Sequence, residues 1–328
     1  MTYDFMAGLR ILAPFILVQL ALASSVTVRP AIGVLAVPAD ISCDSLVENG
    51  GGGSCFSTVY ASWLEASGAR VFGIPYNSPK PILDEFLSSL NGILFTGGSL
   101  DLSAQGTSAA VYLDTANYLY NGVLAANDKG IHLPLHGTCM GFQLLNILTS
   151  KNQSVLSLNA FDSEDLSIPL NMTSEAAESR LFGPAQPANI MDNLRTQPIT
   201  SNLHHDGVTP ADFNDQAALT SFYRVLSTNM DRKGKEFVST IEGKDYPITA
   251  TQWHPERPQF EFDAYLAINH SLTAVESMQW LSNYFVGEAM QNSQEFQDVN
   301  FANNYSTYGF SRHVVGDLLN GYQMFMFP

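Results

Sequence analysis

Cys139 stands between Gly137 and Gly141 in "LHGTCMGFQ", in a chain that owns three cysteines and 24 glycines among 328 residues. Chance alone gives about 0.02 such G-x-C-x-G matches. The pattern suits a nucleophile held on a sharp strand-to-helix turn, where larger side chains beside it would clash. It also sets the sulfur at a helix N-terminus, whose dipole and free N–H groups favour a thiolate and then an oxyanion. A buried cysteine that merely caps a strand is the competing reading.

A thiol nucleophile needs a base, and the base needs an orienting group. "TQWHPE" (251–256) offers both: His254 follows a late strand, Glu256 stands two residues on, and Pro255 stiffens the link. Taken alone, His254 reads equally well as a surface histidine before a proline. "LFTGGSLDL" (94–102) adds Gly97 and Gly98 directly after a strand. Their backbone N–H groups and that of Met140 form a candidate oxyanion hole, against the plainer reading of a tight turn. In an open parallel sheet all three segments emerge at the carboxyl edge, where ligands bind. No His/Cys/Asp grouping has metal-ligand spacing, so neither a metal nor an organic cofactor is expected.

The elements that must position these residues follow from periodicity. Short apolar runs at 30–37, 70–76, 92–98, 130–137 and 247–253 predict strands. Phe56, Val59, Tyr60, Trp63 and Leu64 share one helix face, and further helices are predicted over 81–92, about 108–127, 140–149 and about 271–290. This alternation predicts an α/β three-layer sandwich, with a central, mostly parallel sheet flanked by helices. The stretch 151–247 is turn-rich without a sustained period and is expected to hold mixed strands and loops on the same core. An aromatic, Asn-rich tail (293–328) is expected to pack on the body.

Hydrophobic residues at 45% and charged residues at 14% describe a globular chain. A net charge of −16 excludes nucleic acid and an anionic membrane surface as partners. Arg10 followed by "ILAPFILVQLALA" (11–23) has the layout of a secretory signal peptide. The expected organisation is a signal peptide over 1–23 and one catalytic domain over 24–328, its core about 30–290. No membrane association is expected after cleavage. A secreted chain meets oxidising conditions. Cys43 and Cys55 flank a glycine loop that admits a disulfide, or they stay as two loop thiols; Cys139 is then the odd thiol. Four N-x-[ST] sequons begin at Asn152, Asn171, Asn269 and Asn304.

The blocks "ILFTGGSLDL", "PLHGTCMGFQLL", "IPLNMT", "VLSTNMD", "EFVSTIEGKDYPITATQWHPE" and "NHSLTAVESMQWLSNYFVGEA" resemble those of the gamma-glutamyl hydrolases, within the class I glutamine amidotransferase-like fold. The likeness runs from about Ala31 to Met290. It implies a cysteine hydrolase of γ-glutamyl bonds, most directly those of folylpoly-γ-glutamates, acting through a thioester. It implies Cys139 as nucleophile, His254 as acid/base and Glu256 as its orienter. It also implies a role for His204, since Asn202-Leu203-His204 matches the family's N-x-H better than a reading on His205. Two departures stand out: Gln143 takes a position where glutamate is common, and the loop 43–55 looks inserted. A glutaminase and a catalytically silent secreted binder share the same framework. Self-association as a homodimer is left open. The resemblance places the protein in a lysosome, a vacuole or the exterior, and an optimum between roughly pH 4.5 and 7 is expected.

Overall fold

The run after Pro30 folds as β1 (Ala31–Leu35), all five residues buried, as a strand covered on both faces requires. A computed structural model describes residues 26–39, 43, 53–103, 108–315 and 322–328; the expected signal peptide lies outside them. After β1 come β2 (Val37–Pro38), β3 (Ser54–Ser57), α1 (Thr58–Glu65), β4 (Arg70–Ile74), α2 (Lys80–Ser89) and β5 (Gly92–Phe95). Next are α3 (Ser108–Asp128), β6 (Leu135–Thr138), α4 (Met140–Ser150), β7 (Leu166–Ile168), β8 (Asn171–Met172), α5 (Ala188–Thr196) and β9 (Thr200–Asn202). Then α6 (Pro210–Asn214), α7 (Ala217–Phe222), β10 (Tyr223–Met230), β11 (Glu236–Gly243), β12 (Ile248–Thr251) and α8 (Arg257–Phe260) follow. The chain closes with α9 (Leu272–Ala289), α10 (Val299–Tyr305), β13 (Arg312–Val315) and β14 (Tyr322–Phe327).

The main sheet has eight strands in the order β4-β1-β5-β6-β12-β11-β10-β8. The first five run parallel, with β6 between β5 and β12. The remaining three continue it antiparallel. Two apolar clusters cover the faces: residues of α2, α3 and α4 build one, and residues of α1, α5 and α9 build the other. The arrangement is the expected α/β sandwich with a mixed, mostly parallel sheet. Among the described residues no helix is long and apolar enough to cross a membrane.

Two differences from the sequence reading have physical causes. The stretch 151–247 contains two of the longest strands, β10 and β11, which pair along their length. Their apolar pattern is masked because polar groups are buried there with partners: Ser227 donates to Thr240 (2.8 Å), and Glu242 accepts the N–H groups of Arg180 (3.0 Å) and Leu181 (2.9 Å). Phe56 belongs to β3 and not to the helix, which starts at Thr58. It is held extended by β14, a strand some 270 residues away and beyond any local period.

That pairing belongs to a second sheet, β13-β14-β3-β2. Cys43 and Cys55 are disulfide-bonded beside it. The aromatic tail thus packs on the body as expected: Phe296 lies 4.7 Å from Phe72, and Phe301 and Tyr305 lie 5.1 and 4.9 Å from Phe86 between ring centres.

Candidate active site

The turn from β6 into α4 puts Cys139 at φ 52°, ψ −105°, backbone space that a side-chain-bearing residue seldom occupies. Its N–H donates to the Thr251 carbonyl at the end of β12 (2.7 Å), and its carbonyl accepts from the Gln143 N–H (3.1 Å). The flanking glycines answer to backbone crowding. A Cβ at Gly141 would lie 2.2 Å from the Phe95 carbonyl oxygen, and one at Gly137 2.6 Å from that of Gly141. Only glycine lets β5, β6 and α4 approach this closely.

β12 also delivers the imidazole. The His254 N–H donates to the Ser201 carbonyl (2.8 Å), and Nδ1 lies 2.6 Å from Glu256 Oε1. Both residues are buried. Burial is the strongest single influence and opposes the charged imidazolium, but the Glu256 carboxylate and the Cys139 side chain outweigh it in sum. Together they lift His254 to about 9. Burial likewise pushes the Glu256 carboxyl up, but His254 and Arg257 hold it below its ordinary range. Arg257 bridges Glu256 (3.8 Å) and Glu261 (2.8 Å).

The loop after β5 closes the other side. A Cβ at Gly97 would meet the Tyr60 hydroxyl at 2.7 Å, His254 Cε1 at 2.8 Å and Cys139 Cβ at 3.3 Å, so three side chains converge on this glycine. The Gly97 N–H donates to the Tyr60 hydroxyl (2.8 Å). Gly98 packs against the Met140 side chain, its Cβ position 2.8 Å from Cε.

His204 is buried with its ring edge-on to Phe237, centres 4.7 Å apart. Its Nδ1 lies 2.9 Å from the Asp206 carbonyl, which only accepts, so Nδ1 carries the proton and Nε2 a lone pair with no partner. Burial, against the weaker help of that carbonyl, lowers His204 to about 3, so it is neutral. His205, by contrast, is exposed beside Glu164 (3.7 Å).

These groups border one cleft of about 840 Å³, whose walls include Tyr60, Gly98, Cys139, His204, His254 and Arg257. Met140 and Glu256 support it from behind. The residues expected to form the catalytic and oxyanion site, with His204, are therefore brought to one place. Three wall or neighbour residues were not among them: Tyr60 was read only as a helix-face residue, Arg257 was passed over, and so was Gln252.

An α/β sandwich with a thiol on a strained elbow, facing a buried imidazole–carboxylate pair, has the make-up of a cysteine-type hydrolase. The peptidase C26 family model matches residues 30–256. Gamma-glutamyl hydrolase B of Dictyostelium discoideum is 35% identical over 87% of this chain and 79% of its own length. Gamma-glutamyl hydrolase of Homo sapiens is 32% identical over 91% of this chain and 90% of its own. The solved structure of PurLQS from Thermotoga maritima overlays with a TM-score of 0.41 at 14% identity, over 76% of this chain and 97% of that one. The chain belongs to the gamma-glutamyl hydrolase family, the C26 cysteine peptidases.

Proposed function

We propose that the protein hydrolyses γ-glutamyl peptide bonds of poly-γ-glutamates, folylpolyglutamates first among them, through a thioester on Cys139. The observation that carries this reading is the placement of Cys139 on the elbow, its side chain and the His254 ring meeting at Gly97, with Glu256 2.6 Å from that imidazole. The names of the relatives supply the bond type.

The Cys139 thiolate attacks the γ-carbonyl carbon, and the C=O π pair moves onto oxygen. The N–H groups of Gly98 and Met140 receive that oxyanion; Met140 opens α4, and the first helical N–H groups have no partner within the helix. The Gly97 N–H already serves Tyr60 and so fixes the loop. As the tetrahedral carbon collapses, the C–N bond breaks and His254 gives its proton to the leaving amine. A water then attacks the thioester, His254 takes its proton, and the thiolate leaves with the C–S electron pair. Glu256 keeps the imidazole oriented throughout. His204 offers its neutral Nε2 as an acceptor for a donor group of the substrate.

Oxidising conditions suit the Cys43–Cys55 disulfide. With the apolar run at 11–23, this supports a secretory route ending in a lysosome, a vacuole or outside the cell. Of the four sequons, Asn171 and Asn304 are exposed and are proposed to carry glycans.

The test is to give the purified protein γ-linked oligoglutamate, α-linked oligoglutamate and free glutamine side by side. Cleavage of the γ-linked oligomer alone is expected. Ammonia release from glutamine with the oligomer untouched would instead make it a glutaminase, and no turnover of any of the three would favour the silent binder.

A further inference from the structure

The thiol has a neighbour that the acyl-transfer steps do not use. Gln252 follows β12 with its N–H tied to the Ser239 carbonyl (2.8 Å), and its side-chain Nε2 lies 3.7 Å from Cys139 Sγ. Both residues are buried. An amide side chain can be turned either way at little cost, and only one way presents N–H to sulfur. The other way presents Oε1, whose partial negative charge disfavours a thiolate. Something must therefore decide which end faces the nucleophile.

Gln143, four residues beyond Cys139 in the first turn of α4, supplies that decision. Its Nε2 donates to the Asp206 carbonyl (3.0 Å) and to Gln252 Oε1 (3.4 Å). The carbonyl of Asp206 can only accept, so Gln143 must turn its NH₂ toward it. With NH₂ there, Gln252 must answer with oxygen, and its own NH₂ is left for sulfur. Asp206 is itself anchored, since its Oδ1 accepts from the Asn159 N–H (2.6 Å). The relay runs from a main-chain carbonyl through two amides to the nucleophile.

We infer that Gln143 is a positioning residue for the nucleophile, setting the Gln252 amide so that its NH₂ faces the Cys139 sulfur at every pH. A carboxylate at position 143 performs this task only when protonated. Once ionised it draws the Gln252 NH₂ to itself and turns Oε1 toward the sulfur. Glutamine thus removes a titration from the site.

The inference rests on Cys139 being the nucleophile, but its test needs no substrate, so a failure of the γ-glutamyl reading leaves it decidable. Cys43 and Cys55 are bridged, so iodoacetamide reports on Cys139 in the intact full chain. Alkylation rates are measured from pH 4.5 to 8.5 for the wild type, Gln143→Glu and Gln143→Leu. The charged and titratable groups about the relay are His254, Glu256 and Arg257 after β12, Tyr60 on α1, and His204, His205 and Asp206 after β9. They are shared by all variants and divide out in the ratio to wild type at each pH.

Gln143→Glu is expected to match the wild type at the acid end and to fall about tenfold below it near neutrality, as for a thiol raised by one pKa unit. Gln143→Leu is expected to fall below the wild type across the range short of full thiol ionisation. Gln252→Leu, which removes the donor itself, is expected to reproduce the Gln143→Leu profile. A Gln143→Glu ratio that stays constant with pH would overturn the inference, since a merely structural loss has no titration. So would a Gln252→Leu profile that follows the wild type.

Discussion

At the scale of single residues, the site turns on how His254 is charged. An imidazole kept cationic to about pH 9 is suited, in the proposed mechanism, to hold the proton that the leaving amine needs across the whole neutral range. The sign follows from the partner. A carboxylate 2.6 Å away stabilises the cation and raises the pKa, while burial alone lowers it. Glu256→Gln keeps the shape and removes the charge, so it is expected to move the alkaline limb of kcat/KM down by more than one pH unit. An alkaline limb that stays put in this variant would show that Glu256 does not set the charge on His254. That Cys139, His254, Glu256, Gly97 and Gly98 would gather at one sheet edge was legible from residue type and spacing. The Tyr60 hydroxyl on Gly97 was not, because Tyr60 sits at a normal apolar helix position and its phenol end has no sequence signature.

At the scale of elements, much of the parallel half of the sheet was legible because β1, β4 and β5 are short, largely apolar runs separated by glycine-stopped helices. β10 and β11 were not, because buried Ser227, Thr240 and Glu242 interrupt the apolar pattern and find their partners only after folding. The tail is the clearest case. Its aromatic content foretold packing, yet its pairing with β3 is a long-range event that no local pattern records. β14 brings Tyr322 and Met324 to the wall of the cleft, beside Phe56 of β3. Phe327 locks this arrangement, with ring centres 5.4 Å from Phe56 and 4.5 Å from Phe310, and it is buried. Phe327→Ala is expected to cost about 3 to 5 kcal/mol, as for other buried phenylalanines. Urea unfolding measures it, and a loss below about 1 kcal/mol would mean that the tail strand is held by its backbone pairing alone.

At the scale of the whole molecule, charge sets the working range. The cleft of this acidic chain includes Asp101, Glu164, Asp206, Glu261 and Asp263, which would repel the proposed polyanionic substrate at neutral pH. Burial raises the Glu261 carboxyl, against the pull of Arg257, so it turns neutral earlier than an ordinary glutamate as the pH falls. Acid is therefore expected to favour capture of the proposed substrate. The opposite limit comes from buried neutral histidines. Burial lowers His136 to about 4 against an unfolded value near 6.5, so the stability it contributes is lost as pH falls from 6.5 toward 4. Between these limits, on the acid side of neutrality, both the fold and the proposed polyanion are expected to be accommodated. The measurement that tests the central claim most directly belongs there. The protein is mixed with a γ-linked oligoglutamate, quenched in acid during turnover, and the peptide containing Cys139 is weighed. A γ-glutamyl thioester on Cys139, absent from a folded and inactive Cys139→Ser variant, is the predicted result. Undiminished cleavage of the oligomer by Cys139→Ser, with no adduct on the wild-type cysteine, would contradict it.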